Sequence, residues 1–148
     1  NLAEINLPST SNITYIGNNA FEGTAISTII IPKNVKYLGD SLFLGCLNLE
    51  QIIYSATNAN DFIIYNDVEL TPFSYVSPNV TIIIEDNVQY LPRGFLVHKY
   101  IHTGTIIESD TINIRNLIIS ENSKLKSIGD YAFSGSLTSI LIPQGVTI

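Results

Sequence analysis

Apolar positions recur along this chain in an order that neither one helix nor one strand explains. Over 26–46 they fall at Ile26, Ile29 and Ile31, then Pro32, Val35 and Leu38, then Gly39, Leu42, Phe43 and Gly45. The same order opens the chain as Leu2, Ile5, Leu7, Pro8, Ile13, Ile16, Gly17, Ala20, Phe21 and Gly23, with two extra residues after the proline. It returns near the end as Ile114, Leu117, Ile119, Leu125, Ile128, Gly129, Ala132, Phe133 and Gly135. The spacing is 22 residues from Phe21 to Phe43, and 23 from Ile29 to Ile52 and from Leu117 to Ile140. A period in this range predicts a solenoid, in which each unit packs on its neighbours and the core is a continuous column.

Within one period the alternation around Ile5 and Leu7 predicts a short strand with one buried face, ended by Pro8. Residues 13–16 predict a second short extended piece. Gly17 supplies a turn, and 18–21 predict one helical or 3-10 turn that carries Phe21 inward. On this pattern the chain divides into units of about 2–25, 26–48, 49–78, 79–113, 114–136 and a partial 137–148. The third opens with Leu49, Ile52 and Tyr54 and then loses the pattern from Ser55 to Asn79, as a degenerate or inserted repeat would. The fourth recovers it through Ile82, Ile84, Val88, Leu91, Phe95 and Leu96, with Pro92 in the place of the glycine. A further insertion over 99–113 has His102, Thr103, Gly104 and Thr105 at a predicted hairpin tip. Both ends look cut from a longer array.

With these residues in view, the pattern LxxIxIPxxVxxIGxxAFxGC resembles the BspA-type leucine-rich repeat, carried most closely by ISTIIIPKNVKYLGDSLFLGC at 26–46 and LKSIGDYAFSGSLTSILIP at 125–143. The resemblance implies a leucine-rich-repeat solenoid of the α/β horseshoe class, strand-rich, with a parallel concave β-ladder, short outer strands and short helical or 3-10 turns. It further implies a surface-exposed protein without catalytic motif or cofactor, located extracellularly or at the cell surface. Several members of the family are adhesins, so the implied partner is a host extracellular-matrix or cell-surface protein. Ser136 stands where Cys46 sits in the second unit, which argues against a thiol role common to all repeats.

If Ile29 and Ile31 face the core, strand alternation points Thr28 and Ile30 outward. The same register along the array gives an outer row of Asn6, Ile30, Ile53, Ile83, Ile118 and Leu141 beside a second row of Glu4, Thr28, Gln51, Thr81, Asn116 and Ser139. Strands about 4.8 Å apart would join the aliphatic members of the first row into one stripe, and exposed apolar stripes mark interaction sites. The competing reading is that β-branched residues simply suit strands and pack on one another laterally. The expected partner-binding residues are Ile30, Ile53, Ile83, Ile118 and Leu141 with Thr28, Gln51, Thr81 and Asn116. The alternative function is a structural spacer or assembly module of a larger surface protein, with self-association through exposed repeat ends.

Composition narrows the rest. The net charge is −6, from 13 acidic and 7 basic residues. The basic residues are scattered, which disfavours nucleic acid and anionic membranes, since phosphate binding needs a clustered cationic footprint. No apolar run approaches the roughly 20 residues of a membrane span. One cysteine, Cys46, allows neither an intrachain disulfide nor a cysteine zinc cluster, and it reads as a small buried core residue. Phe21, Phe43 and Phe133, with Phe95 or Leu96, read as an internal aromatic column, and Tyr15, Tyr37 and Tyr90 as an outer-surface row. His98 and His102 with Glu108 and Asp110 would sketch a metal site only on a helix, which Gly104 and the β-branched residues oppose. Asn60, Asp61, Asn66, Asp67 and Glu69 lack the alternating carboxylate spacing of a calcium loop. Asn12 and Asn79 head glycosylation triplets.

Overall fold

A computed structural model describes residues 2–62, 71–77, 79–96, 100–102, 105–107, 114, 116–133, 137 and 139–148. Its strands are β1 (Tyr15–Ile16), β2 (Thr28–Ile31), β3 (Tyr37–Leu38), β4 (Gln51–Tyr54), β5 (Thr81–Ile84), β6 (Tyr90–Leu91), β7 (Tyr100–His102), β8 (Thr105–Ile107), β9 (Asn116–Ile119) and β10 (Ser127–Ile128). Four of them form one parallel sheet in the order β2-β4-β5-β9. Two short parallel ladders, β1 with β3 and β6 with β10, run along the outer side of the coils. Parallel neighbours need a long connection, and each coil of the repeat supplies it.

Register follows the hydrophobic pattern. Ile29, Ile52, Ile82 and Leu117 pair across the sheet, as do Ile31, Tyr54, Ile84 and Ile119, and all eight are buried. Opposite them the outer strands bury Ile16, Leu38, Leu91 and Ile128. The core is the column between these two sets, where each buried Ile or Leu contributes about 1.5–3 kcal/mol of transfer free energy.

The turns that follow are not helical, which corrects the expectation of a helical or 3-10 turn. Asn19, Ser41 and Tyr131 hold one repeat position at φ of 56°, 51° and 57°, and Gly94 stands at the same position at 69°. Two residues after the inward phenylalanine the chain turns again, at φ 65° in Gly23, 73° in Gly45 and 64° in Tyr75. Left-handed residues on both sides of the phenylalanine interrupt any right-handed helical run.

Tyr75 at that place identifies Phe73 as the third unit's inward phenylalanine. Phe73 stacks on Phe43 at 6.4 Å and 10°, as Phe43 stacks on Phe21 at 5.6 Å and 13°. The Ser41 and Leu42 N–H groups donate to the Thr71 and Pro72 carbonyls, which continues the turn-to-turn bonding of the first two units. The pattern lost after Ser55 is therefore resumed at Thr71, where the third unit rejoins the stack. The fourth unit's insertion carries the antiparallel hairpin of β7 and β8, with His102 paired to Thr105. His102 lies in β7 of that hairpin; His98, Glu108 and Asp110 lie outside the described residues, as do Asn66, Asp67 and Glu69.

The terminal coils differ from the expected six-rung ladder. Residues 3–7 lie beside β2 without forming a strand, held by the Ala25 N–H on the Leu2 carbonyl and the Lys33 N–H on the Ser9 carbonyl. Between those two bonds the segments part, leaving a groove of about 500 Å³. At the other end 139–143 form no strand, and the last coil docks instead through Thr147, bridged to Ser127. Glu4, Asn6, Ser139 and Leu141 are thus outside the sheet.

Candidate protein-binding face

The outward face of the four-stranded sheet is built by the alternation that builds the core. Thr28, Gln51, Thr81 and Asn116 lie in one row across the sheet, and Ile30, Ile53, Ile83 and Ile118 in the next. The structure brings these eight sequence-predicted residues together in register. Leu141 is the exception: it is 70% exposed but belongs to no strand, because the last coil is anchored at Thr147 rather than along β9.

Exposure along the aliphatic row is graded. Ile30, Ile53 and Ile83 are half-buried against one another, whereas Ile118, on the edge strand β9, is 51% exposed. Lateral packing and outward presentation therefore coexist. The row is a packed ridge that becomes accessible toward β9, flanked by the exposed amides of Gln51 and Asn116. It carries no charged side chain.

The other candidate groups serve the fold. Cys46 is buried, and its Sγ donates to the Phe21 carbonyl at 2.9 Å, a carbonyl that also accepts from Thr24 Oγ1 at 2.9 Å. Phe21, Phe43, Phe95 and Leu96 are buried, and Phe133 packs against the same core at partial exposure. On the outer side Tyr15 and Tyr37 stack at 4.7 Å and 6°, in register with the pairing of β1 and β3. Among the described residues no group of three or more metal-ligating side chains converges.

Sequence reasoning weighed Asp61 only as a calcium oxygen and missed its structural role. Its Oδ1 accepts from the Tyr90 hydroxyl and, at 2.9 Å, from the Arg93 N–H, tying the insert of the third unit to the outer ladder of the fourth. Desolvation, followed by the hydrogen bond and charge of Asp61, pushes the Tyr90 hydroxyl up to about 12. Burial likewise raises the Asp40 carboxyl and, far more, the Tyr54 phenol, whose oxygen has no hydrogen-bond partner. The one sequence signal for Asp61 was its place in an Asn-Asp step just before the apolar Phe62.

The repeat geometry has a counterpart in known sequences: the model of the BspA type leucine rich repeat region matches this chain in six copies, over residues 1–90 and 105–148. The chain belongs to that family. No curated protein and no solved structure matches it. A BspA-type repeat of this kind is a protein-interaction module of a generally non-catalytic family, typical of bacterial surface proteins. Its sheet face here is continuous through the match, since β2, β4, β5 and β9 all lie within the matched residues. No helix among the described residues is long and apolar enough to cross a membrane.

Proposed function

We propose that this chain is a non-catalytic binding segment of a cell-surface protein, and that it adheres to a host extracellular-matrix or neighbouring-cell protein through the outward face of β2, β4, β5 and β9. The observation that carries the reading is the uncharged ridge of Ile30, Ile53, Ile83 and Ile118 beside the polar row of Thr28, Gln51, Thr81 and Asn116. An apolar centre with a rim of uncharged donors and acceptors is the composition of protein-binding surfaces. The half-burial of Ile30, Ile53 and Ile83 supports a rigid face that orders little on binding, and Ile118 with Asn116 offers its most accessible contact.

The test is binding to purified matrix and cell-surface proteins, measured on the protein and on an Ile83→Thr, Ile118→Ser variant that keeps β-branching at the half-buried position. Binding by the protein and its loss in a folded variant support the reading. Equal binding by both would move the site off this face. Absence of binding across the panel favours a spacer or assembly module.

A further inference from the structure

Each of the first three coils turns a corner after its ladder segment, and each places an asparagine there directly before an inward residue: Asn12 before Ile13, Asn34 before Val35, Asn58 before Ala59. These amides, with Thr14, Lys33 and Lys36, line a trough of about 240 Å³ at this corner of the coils. The lining holds three amides, a hydroxyl and two ammonium groups, and no carboxylate. Lys36 also lines a neighbouring cavity of about 90 Å³, walled by Tyr37, Asp40, Asn60 and Asp61 among others, so the two depressions share one wall residue. That cavity lies against β3, and among the described residues no strand of the third coil stands between β3 and β6. Beside it Tyr37 stacks on Tyr15, whose ring is 64% exposed.

The polar groups of the trough are largely uncommitted. Asn34 Nδ2 donates to the Ser11 carbonyl at 2.9 Å, and among the described residues Asn58 Nδ2 reaches only Thr57 Oγ1 at 3.5 Å. Among the described residues, the ammonium groups of Lys33 and Lys36 form no ion pair and the amide oxygens of Asn12, Asn34 and Asn58 accept no hydrogen bond.

We propose that this trough binds a saccharide bearing an acidic group on alternate sugar residues. Amide side chains both donate and accept, as a row of sugar hydroxyls requires. Exposed aromatic rings cover the apolar face of a pyranose, and ammonium groups give charge-assisted bonds to a carboxylate. Charge sets the density of acid groups. The two lysines of the trough can pair with an isolated carboxylate, whereas Asp40 and Asp61 on the neighbouring cavity and a net charge of −6 repel a dense polyanion. The site is separate from the sheet face and does not depend on it. Asn12 heads an Asn-Ile-Thr triplet, and a glycan attached there would fill the trough, so the protein to test is made without glycosylation.

The experiment is a titration of isotope-labelled protein followed by amide chemical shifts. The probes are a hyaluronan-derived hexasaccharide, which alternates hexuronate with N-acetylhexosamine, a heparin-derived hexasaccharide and neutral chitohexaose. Expected is saturable perturbation by the hyaluronan probe centred on Asn12, Thr14, Asn34, Lys36 and Asn58. Lys33→Gln with Lys36→Gln weakens it by about tenfold or more, as loss of charge-assisted bonds requires. Lys124→Gln with Lys126→Gln, in the fifth coil, leaves it unchanged. Four results overturn the proposal: no perturbation up to about 10 mM, equal binding of the neutral probe, shifts that map elsewhere, or stronger heparin binding that both lysine pairs weaken alike.

Discussion

Gly39 is pressed against Asn18: a Cβ at Gly39 would stand 2.3 Å from the Asn18 backbone nitrogen and 2.4 Å from its Oδ1. The contact is the stacking distance of two coils, because the Gly39 N–H donates to the Ile16 carbonyl of the coil before at 2.8 Å. Backbone cannot yield as a side chain can. Gly39→Ala is therefore expected to lower stability by about 2–4 kcal/mol. Gly23 gives the contrast, at φ +65° with nothing within 4 Å of where a Cβ would stand. Gly23→Ala pays only for backbone strain and should cost about 1 kcal/mol. Urea midpoints of the two variants separate the effects, and equal losses would mean that coil contact is not what Gly39 serves.

Phe73 is fully buried and meets three rings: Phe43 at 6.4 Å, Phe62 at 6.3 Å and Phe95 at 5.1 Å. It joins the regular first coils to the insert and the fourth coil. Phe73→Ala should cost about 3–5 kcal/mol, as large core deletions do. Phe21 occupies the same repeat position, but among the described residues its one ring contact is Phe43. Phe21→Ala should cost less by at least 1 kcal/mol or so on the same scale. Thermal or urea unfolding would show the order, and a larger loss at Phe21 would contradict this account of the third coil.

How much was legible in the sequence follows from which residues carry a period. Ile29, Ile52, Ile82 and Leu117 repeat with the coil, and their alternation with Ile30, Ile53, Ile83 and Ile118 fixed the sheet register seen across β2, β4, β5 and β9. Phe73 was missed because it stands 30 residues after Phe43, and the pattern after Ser55 had no glycine to mark the turn. Tyr75 takes the left-handed position that Gly23 and Gly45 occupy elsewhere. The strands expected at Ile5 and Ile140 had the right alternation, yet alternation selects the buried face without supplying a hydrogen-bonded neighbour along the whole segment. Asp61 gave no periodic signal at all, since its hydrogen bonds among the described residues are to Tyr90 and Arg93, at sequence separations of 29 and 32.

Asp61 makes an alkaline prediction. Tyr90 titrates near 10 in an unfolded chain and is pushed up to about 12 in the fold, by desolvation first and by Asp61 next. A raised phenol contributes stability that is fully present below its unfolded value and is lost as pH rises through its folded value. The affected window is therefore about pH 10–12. Asp61→Asn removes the carboxylate that holds the phenol proton. Spectrophotometric tyrosine titration should show one group of the variant ionising at lower pH, closer to the ordinary phenol range. An unchanged titration would mean that desolvation alone sets the Tyr90 value.

Tyr54 offers the opposite case, a polar group that the core would do better without. Its ring packs edge-on against Phe95 at 5.0 Å, its side chain is fully buried, and its hydroxyl has no hydrogen-bond partner. Leaving a hydroxyl desolvated and unpaired costs about 1–3 kcal/mol, while the ring itself packs as phenylalanine would. Tyr54→Phe should therefore raise stability, by about 1 kcal/mol once relaxation of the vacated space is set against the gain. The alkaline limb should move as well. Burial, and secondarily Tyr90, holds the Tyr54 phenol well above the ordinary range in the fold, so above about pH 10 only the unfolded chain releases this proton. That release draws the wild-type protein toward unfolding as pH rises, and the phenylalanine variant lacks it. Urea midpoints measured from neutral pH to about pH 11 should place the variant above the wild type throughout, with the gap widening past pH 10. A variant less stable at neutral pH would mean that the hydroxyl is paired in solution, and a constant gap would mean that Tyr54 does not titrate on unfolding.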